Sequence, residues 1–177
     1  MDQTKKIEKN ILKQVAGFMI TAARTAPKAK GADNIVTLIL DKANAKNKLI
    51  KKMQELAVSK NKPGFKRDAE NLKSAPVIVF IATKAQALGI EYCSLCNYDN
   101  CQAMLKAKSI CAFNTIDLGI ALGSAVNMAA KFHIDNRIMY SAGKAAIALN
   151  LFEDKSVKIA LAIPLSATGK NIFFDRK

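Results

Sequence analysis

Apolar residues recur at helical spacing near the start of the chain. Ile7, Ile11, Leu12, Val15, Phe18 and Met19 fall on one face, which predicts a helix over residues 4–23. Pro27 and Gly31 punctuate the basic stretch that follows. Residues 35–40 (Ile-Val-Thr-Leu-Ile-Leu) are rich in β-branched side chains and suit either a strand or the start of a helix capped by Asp33. Leu49, Ile50, Met53, Leu56 and Ala57 predict an exposed amphipathic helix over 46–58. A helical pattern over 68–73 stops before Pro76, and the apolar run at 76–83 reads as a buried strand. A short helix is expected at 102–108, a buried one at 117–132 and an Ala-rich one at 141–149. A last strand over 157–163 should end at Pro164. Gly119, Gly123 and four alanines make the 117–132 helix narrow, which suits a packed interior or the seam of a homodimer. Helices and strands mix without regular alternation, so the class is α+β, and no linker divides residues 1–177 into more than a single domain.

Half of the residues are hydrophobic, which excludes a disordered chain. Aromatics are scarce and Trp is absent, so the core must come from Ala, Ile, Leu, Val and Met. The net charge is +14, with 17 Lys+Arg against 7 Asp+Glu in residues 1–75 and 11 against 7 in the remainder. Such a surface attracts anions. No basic run is interleaved with aromatics, which argues against nucleic acid. The first ten residues are polar, and no stretch reaches the ~20 apolar residues that span a bilayer. The expected setting is cytoplasmic, where cysteines stay reduced.

The four cysteines all fall within nineteen positions, as Cys93-x2-Cys96-x4-Cys101-x9-Cys111. Thiolates at short, irregular spacing let one loop wrap a soft metal centre. A [4Fe–4S] cluster takes four such sulfurs, one per iron. A structural zinc site also takes four, but it usually pairs two x2 knuckles, and only one x2 pair is present. Asn97, Asp99 and Asn100 mark a polar loop, where buried core thiols would not sit. Two function classes follow. One is an electron-transfer protein, or an oxidoreductase whose substrate is not legible. The other is a structural zinc module whose basic surface binds an acidic partner. Tyr92, Leu95 and Tyr98 are candidates to shield the sulfurs from water.

Other positions are open to two readings. Arg24, Lys28 and Lys30 either contact an anion or serve as cations at a helix C-terminus. The stretch Leu165-Ser166-Ala167-Thr168-Gly169-Lys170-Asn171 lacks the first glycine and the final Ser/Thr of a phosphate loop, so it is either an anion-binding turn or a capping turn. Arg67, Asp68 and Glu70 read as a surface ion-pair cluster, and Asp135, Asn136 and Arg137 as a polar corner. His133 is the sole histidine, so no His-based metal cage is available.

The segment Tyr92-Cys93-Ser94-Leu95-Cys96-Asn97-Tyr98-Asp99-Asn100-Cys101 resembles the four-Cys iron–sulfur domain of corrinoid iron–sulfur proteins and of Rnf electron-transport B subunits. Asn97-Tyr98-Asp99-Asn100 stands where that pattern usually has glycines. Longer stretches resemble an uncharacterised prokaryotic family of ferredoxin domain-containing proteins. They are residues 24–31, 67–71, 117–126, Asp135-Asn136-Arg137-Ile138-Met139-Tyr140-Ser141-Ala142-Gly143 and 163–176. This resemblance implies a cluster bound within 92–111. A fainter one is to FMN-dependent nitroreductases, carried by residues 24–28, Ala75-Pro76, 117–130 and 159–164. It implies a nitroreductase-like domain with a central mixed sheet flanked by helices, and FMN at a subunit interface. Arg24, Lys28 and Lys170 are then candidates for its phosphate or another anion.

Overall fold

A computed structural model of the chain describes residues 3–174, so Asp175 and Arg176 of the last motif lie outside it. Helix α1 (Gln3–Thr25) leads through a basic turn to strand β1 (Ile35–Leu40). Two helices follow, α2 (Ala43–Ser59) and α3 (Pro63–Ser74), the latter started by proline at its first position. Next come β2 (Val77–Lys84), α4 (Cys101–Lys106), α5 (Ala112–Lys131), β3 (Asp135–Asn136), α6 (Tyr140–Ala148) and β4 (Val157–Ser166).

The strands form one sheet in the order β1-β2-β4-β3. Every pairing is antiparallel, so the sheet is not mixed as expected. The cause lies in the connection from β1 to β2. Helix α2 carries the chain back along the sheet and α3 returns it, so β2 starts where β1 ended, with Leu40 opposite Ile78. Such an even number of crossings was not readable from local pattern.

β2 is buried on both faces because both sides of the sheet are covered. Val77, Val79, Ile81, Ile163 and Leu165 pack against α1 and α5 through Leu12, Val15, Met19, Leu118, Ala121 and Ala125. Ile78, Phe80, Ala82, Ala160 and Ala162 pack against α2, α3 and α6 through Leu49, Met53, Leu72, Ala142 and Ala146. Each large side chain buried here contributes about 1.5–3 kcal/mol. Small residues set how closely α6 lies: a Cβ on Gly143 would collide with the Ala160 carbonyl.

β4 does not stop at Pro164. Ala162 exchanges both backbone hydrogen bonds with Met139, at 2.8 and 3.0 Å. Pro164, two residues on, turns its nitrogen to the same side. There the ladder is open between Asn136 and Met139, so the missing N–H forfeits no sheet bond. His133 ends α5 with φ of 55°, and Ile134 N donates to Ala129 O behind it at 3.0 Å.

Asp68 also departs from expectation, because it is buried. Its carboxylate accepts from Arg67 at 2.9 Å and from Ser141 Oγ at 2.6 Å, and Arg137 stands 3.8 Å away. Arg137 lies over the Phe174 ring at 5.8 Å, and Asn171 donates to Asp135 at 3.0 Å. Three of the motifs recognised in the sequence therefore meet in one network that fastens the last described residues to α3 and α6.

Asp154 fixes the turn before β4. Ser156 donates to its carboxylate through Oγ at 2.6 Å and through the backbone at 2.9 Å, and Lys84 pairs with it at 3.1 Å. The Ser156 bonds first, then Lys84, hold its carboxyl at about 2, below the ordinary 3.8. The folded value is the lower one, so this stabilisation is complete above the unfolded pKa and is lost as pH falls toward the folded one. Asp154→Asn should lower the melting temperature at neutral pH and flatten its decline between about pH 4 and pH 2. An unchanged acid slope in thermal melts would contradict this.

Candidate functional site

Residues 85–100, between β2 and α4, have no regular secondary structure. Three bonds fix their first part. Ala85 N donates to Ser156 O at 3.0 Å, Gln86 N to Asn114 Oδ1 at 3.2 Å, and Lys30 Nζ to Leu88 O at 3.2 Å. Beyond them the backbone repeatedly enters the left-handed region, at Gly89, Tyr92, Ser94 and Asn97, with φ of 62, 51, 42 and 63°. Each non-glycine residue held there costs on the order of 1 kcal/mol, and strain of this kind gathers at ligand sites. Left-handed steps also let successive backbone N–H groups converge into anion-binding concavities, as at many Fe–S sites.

Cys101 opens α4, whose N-cap Asn100 accepts from Ala103 N at 2.9 Å. Lys108, with φ of 53°, ends that helix earlier than expected. Cys111 is the N-cap of α5 and is buried, whereas Cys93, Cys96 and Cys101 are half-buried. All four thiols line one pocket of about 360 Å³, with Tyr98 on its wall and Met104, 1% exposed, beneath. The thiols are spread around this pocket. No three His, Cys, Asp or Glu side chains among the described residues stand close enough to grip a single ion. Of the expected shields, Tyr98 is half-buried, while Tyr92 and Leu95 face solvent.

The first turns of α5 carry two polar groups that sequence reading passed over. Asn114 is fully buried; its Oδ1 holds Gln86, and its Nδ2 has no hydrogen-bond partner among the described residues. Asp117, also buried, accepts from Ala29 N at 3.1 and 3.3 Å. The signal was present, because both share the inward phase of Leu118 and Ala121 on an otherwise apolar helix. Together they bring the basic turn after α1 beside the cysteine loop.

The cations of that turn are engaged within the chain. Arg24 pairs with Asp33 at 2.6 Å. Lys28 Nζ, nearly buried, donates to the carbonyls of Arg24 at 2.6 Å and Ala26 at 2.9 Å, so it caps α1. Lys170 is exposed in the turn after β4, where Thr168 Oγ1 donates to its carbonyl at 2.7 Å. The pairings of Ile35 with Thr83 and of Val77 with Leu165 put Arg24 and Lys28 at one end of the sheet and Lys170 at the other. The fold of one chain does not bring the three together.

Residues 107–176 match a family described as an uncharacterized protein containing a ferredoxin domain. That stretch includes Cys111 but not the other three cysteines. An uncharacterized protein of Archaeoglobus fulgidus is 39% identical over 174 residues, covering 93% of this chain and 91% of its own length. The chain belongs to this family. Solved structures relate this chain to flavoproteins by fold. A BluB-like flavoprotein from Clostridium difficile superposes with a TM-score of 0.64 at 21% identity, covering 93% of this chain and 84% of the other. A nitroreductase with bound FMN from Desulfitobacterium hafniense gives 0.63 at 12%, covering 89% and 78%. One from Bacteroides fragilis, also with bound FMN, gives 0.61 at 12%, covering 93% and 81%. The fold of the chain is therefore nitroreductase-like, with the cysteine loop following β2.

Asn114→Ala should remove the partner of the Gln86 N–H, at a cost of about 0.5–1.5 kcal/mol. Hydrogen exchange at Gln86 should quicken, and limited proteolysis should cut residues 85–100 sooner. Unchanged protection at Gln86 would remove Asn114 as the anchor of the loop.

Proposed function

We propose that this protein is a redox carrier that binds a [4Fe–4S] cluster through Cys93, Cys96, Cys101 and Cys111. The observation that carries the reading is that every cysteine of the chain lines one pocket, although they come from a loop, the start of α4 and the N-cap of α5. Membership of a ferredoxin-domain family supports a redox role. When bound, the cluster supplies single-electron chemistry.

The donor set fits such a group. Zinc draws four sulfurs to about 2.3 Å from one point, whereas these thiols stand round a wider space without three gathered together. Four thiolates on iron leave net negative charge. The N-terminus of the twenty-residue α5 carries the positive end of its dipole to Cys111. That end of the dipole favours an anionic group, and positive surroundings ease electron uptake.

The flavin reading rests on fold. FMN is bound by two of the structural relatives, but Arg24 and Lys28 are committed to Asp33 and to carbonyls, and Lys170 is remote from them. No step of the proposed chemistry runs through a flavin, and the electron donor and acceptor remain partners defined only by redox capacity. A second copy of the chain is the partner best supported by the surface. Ile116, Gly119, Ile120 and Gly123 form an exposed apolar strip on α5. A Cβ at Gly119 or Gly123 would meet nothing within 4 Å in one chain. Gly119→Leu should therefore leave the monomer folded and halve the mass in sedimentation equilibrium; an unchanged mass would refute a seam on α5.

Protein purified without oxygen should be brown and contain iron and acid-labile sulfide in equal amounts, near four per chain. Cys111→Ser should lower both while circular dichroism stays the same. A colourless protein with one zinc and no iron would overturn the reading, and full iron retention in Cys111→Ser would remove that residue from the ligand set.

A further inference from the structure

A second pocket, of about 490 Å³, opens on the other side of the sheet where α2, α3 and α6 meet. That volume lies within the range of small-molecule sites. Helical spacing builds it. Leu56 on α2 and Lys60, the residue just past its end, stand four apart, and Tyr140, Lys144 and Ala148 stand four apart on α6. Phe65, at the start of α3, closes the floor. It is 7% exposed and meets the Tyr140 ring edge-on, with centroids 5.5 Å apart and planes at 89°. Tyr140 itself is 58% exposed, so one face of its ring is open to a ligand.

The rim is one-signed. Lys60, Lys62 and Lys144 line the pocket, and no acidic residue does. Among the described residues none of the three has a carboxylate within ion-pair distance, although Lys52 on α2 and Lys73 on α3 are both paired. Three like charges border an apolar floor, so an anion suits the rim and an aromatic ring suits the floor.

We infer that this pocket binds a planar aromatic carboxylate. Its ring lies against Tyr140, Phe65 and Leu56, and its carboxylate lies among the ammonium groups of Lys60, Lys62 and Lys144. The two halves of the site select together. A bare small anion gains nothing from the floor, and a neutral aromatic leaves the rim charges uncompensated. The pocket shares no lining residue with the cysteine pocket, so the inference stands apart from the cluster reading.

The chain has no Trp, so the fluorescence of 2-naphthoate can be followed against a low background. Titrated into the full chain, 2-naphthoate should bind saturably. 2-Naphthylmethanol should bind about tenfold more weakly, as loss of charge-assisted bonds predicts, and acetate should not compete at equal concentration. Lys60→Gln with Lys144→Gln should weaken 2-naphthoate by a similar factor and leave 2-naphthylmethanol unchanged. Tyr140→Ala should weaken both aromatics, with thermal melts establishing that each variant is folded. Absence of saturable binding at millimolar 2-naphthoate would overturn the inference. So would equal affinity for the acid and the alcohol, or 2-naphthoate binding unaltered in the double-lysine variant.

Discussion

Helix α5 enters the molecule at Cys111, and the loops at that end of the sheet are hung on its first two turns. Asn114 accepts from the loop that carries two of the cysteines, and Asp117 accepts from the turn that follows α1. Both acceptors are buried, so each is held in place by the core as it anchors its loop. The apolar face of the same helix packs on β2 and α1. One element thus joins the core to the site, and the position of Cys111 relative to the other thiols follows from how α5 is seated.

The division of labour in the chain is physical. The rigid part is the antiparallel sheet, covered on both faces, with β2 at its centre. The adaptable part is residues 85–100, tied down at its start and strained beyond. Left-handed positions at Tyr92, Ser94 and Asn97 are conformations the chain holds against its own preference. A scaffold that stays fixed while a loop conforms suits a group larger than one ion, whose ligands approach from several directions.

Much of this was legible locally. The apolar run of β2, the helix period of α1 and α2, and the crowding of four cysteines into nineteen positions are all features of neighbouring residues. What escaped was set by distant partners. Antiparallel pairing of β1 with β2 depends on α2 and α3 crossing back and forth, which no window of sequence reports. Asp68 reads as a surface carboxylate until Arg137 and Ser141 arrive from more than sixty positions away. Pro164 looks like a strand end until the gap opposite it is known. Arg24, Lys28 and Lys170 look alike as cations near turns, but register sends them to opposite ends of the sheet. The burial of Asn114 and Asp117 could have been inferred from helical phase, because both repeat with Leu118 and Ala121.

Four thiols line one pocket, and what they hold decides between a cluster and a single ion. Electron paramagnetic resonance on anaerobic protein, before and after reduction with dithionite, addresses it most directly. The account predicts a silent oxidised state and, on reduction, a fast-relaxing signal of one unpaired electron per chain, with a matching loss of visible absorbance. Protein that contains its full metal content yet stays silent and colourless in both states would contradict it, because a thiolate-bound zinc ion has no electron to exchange.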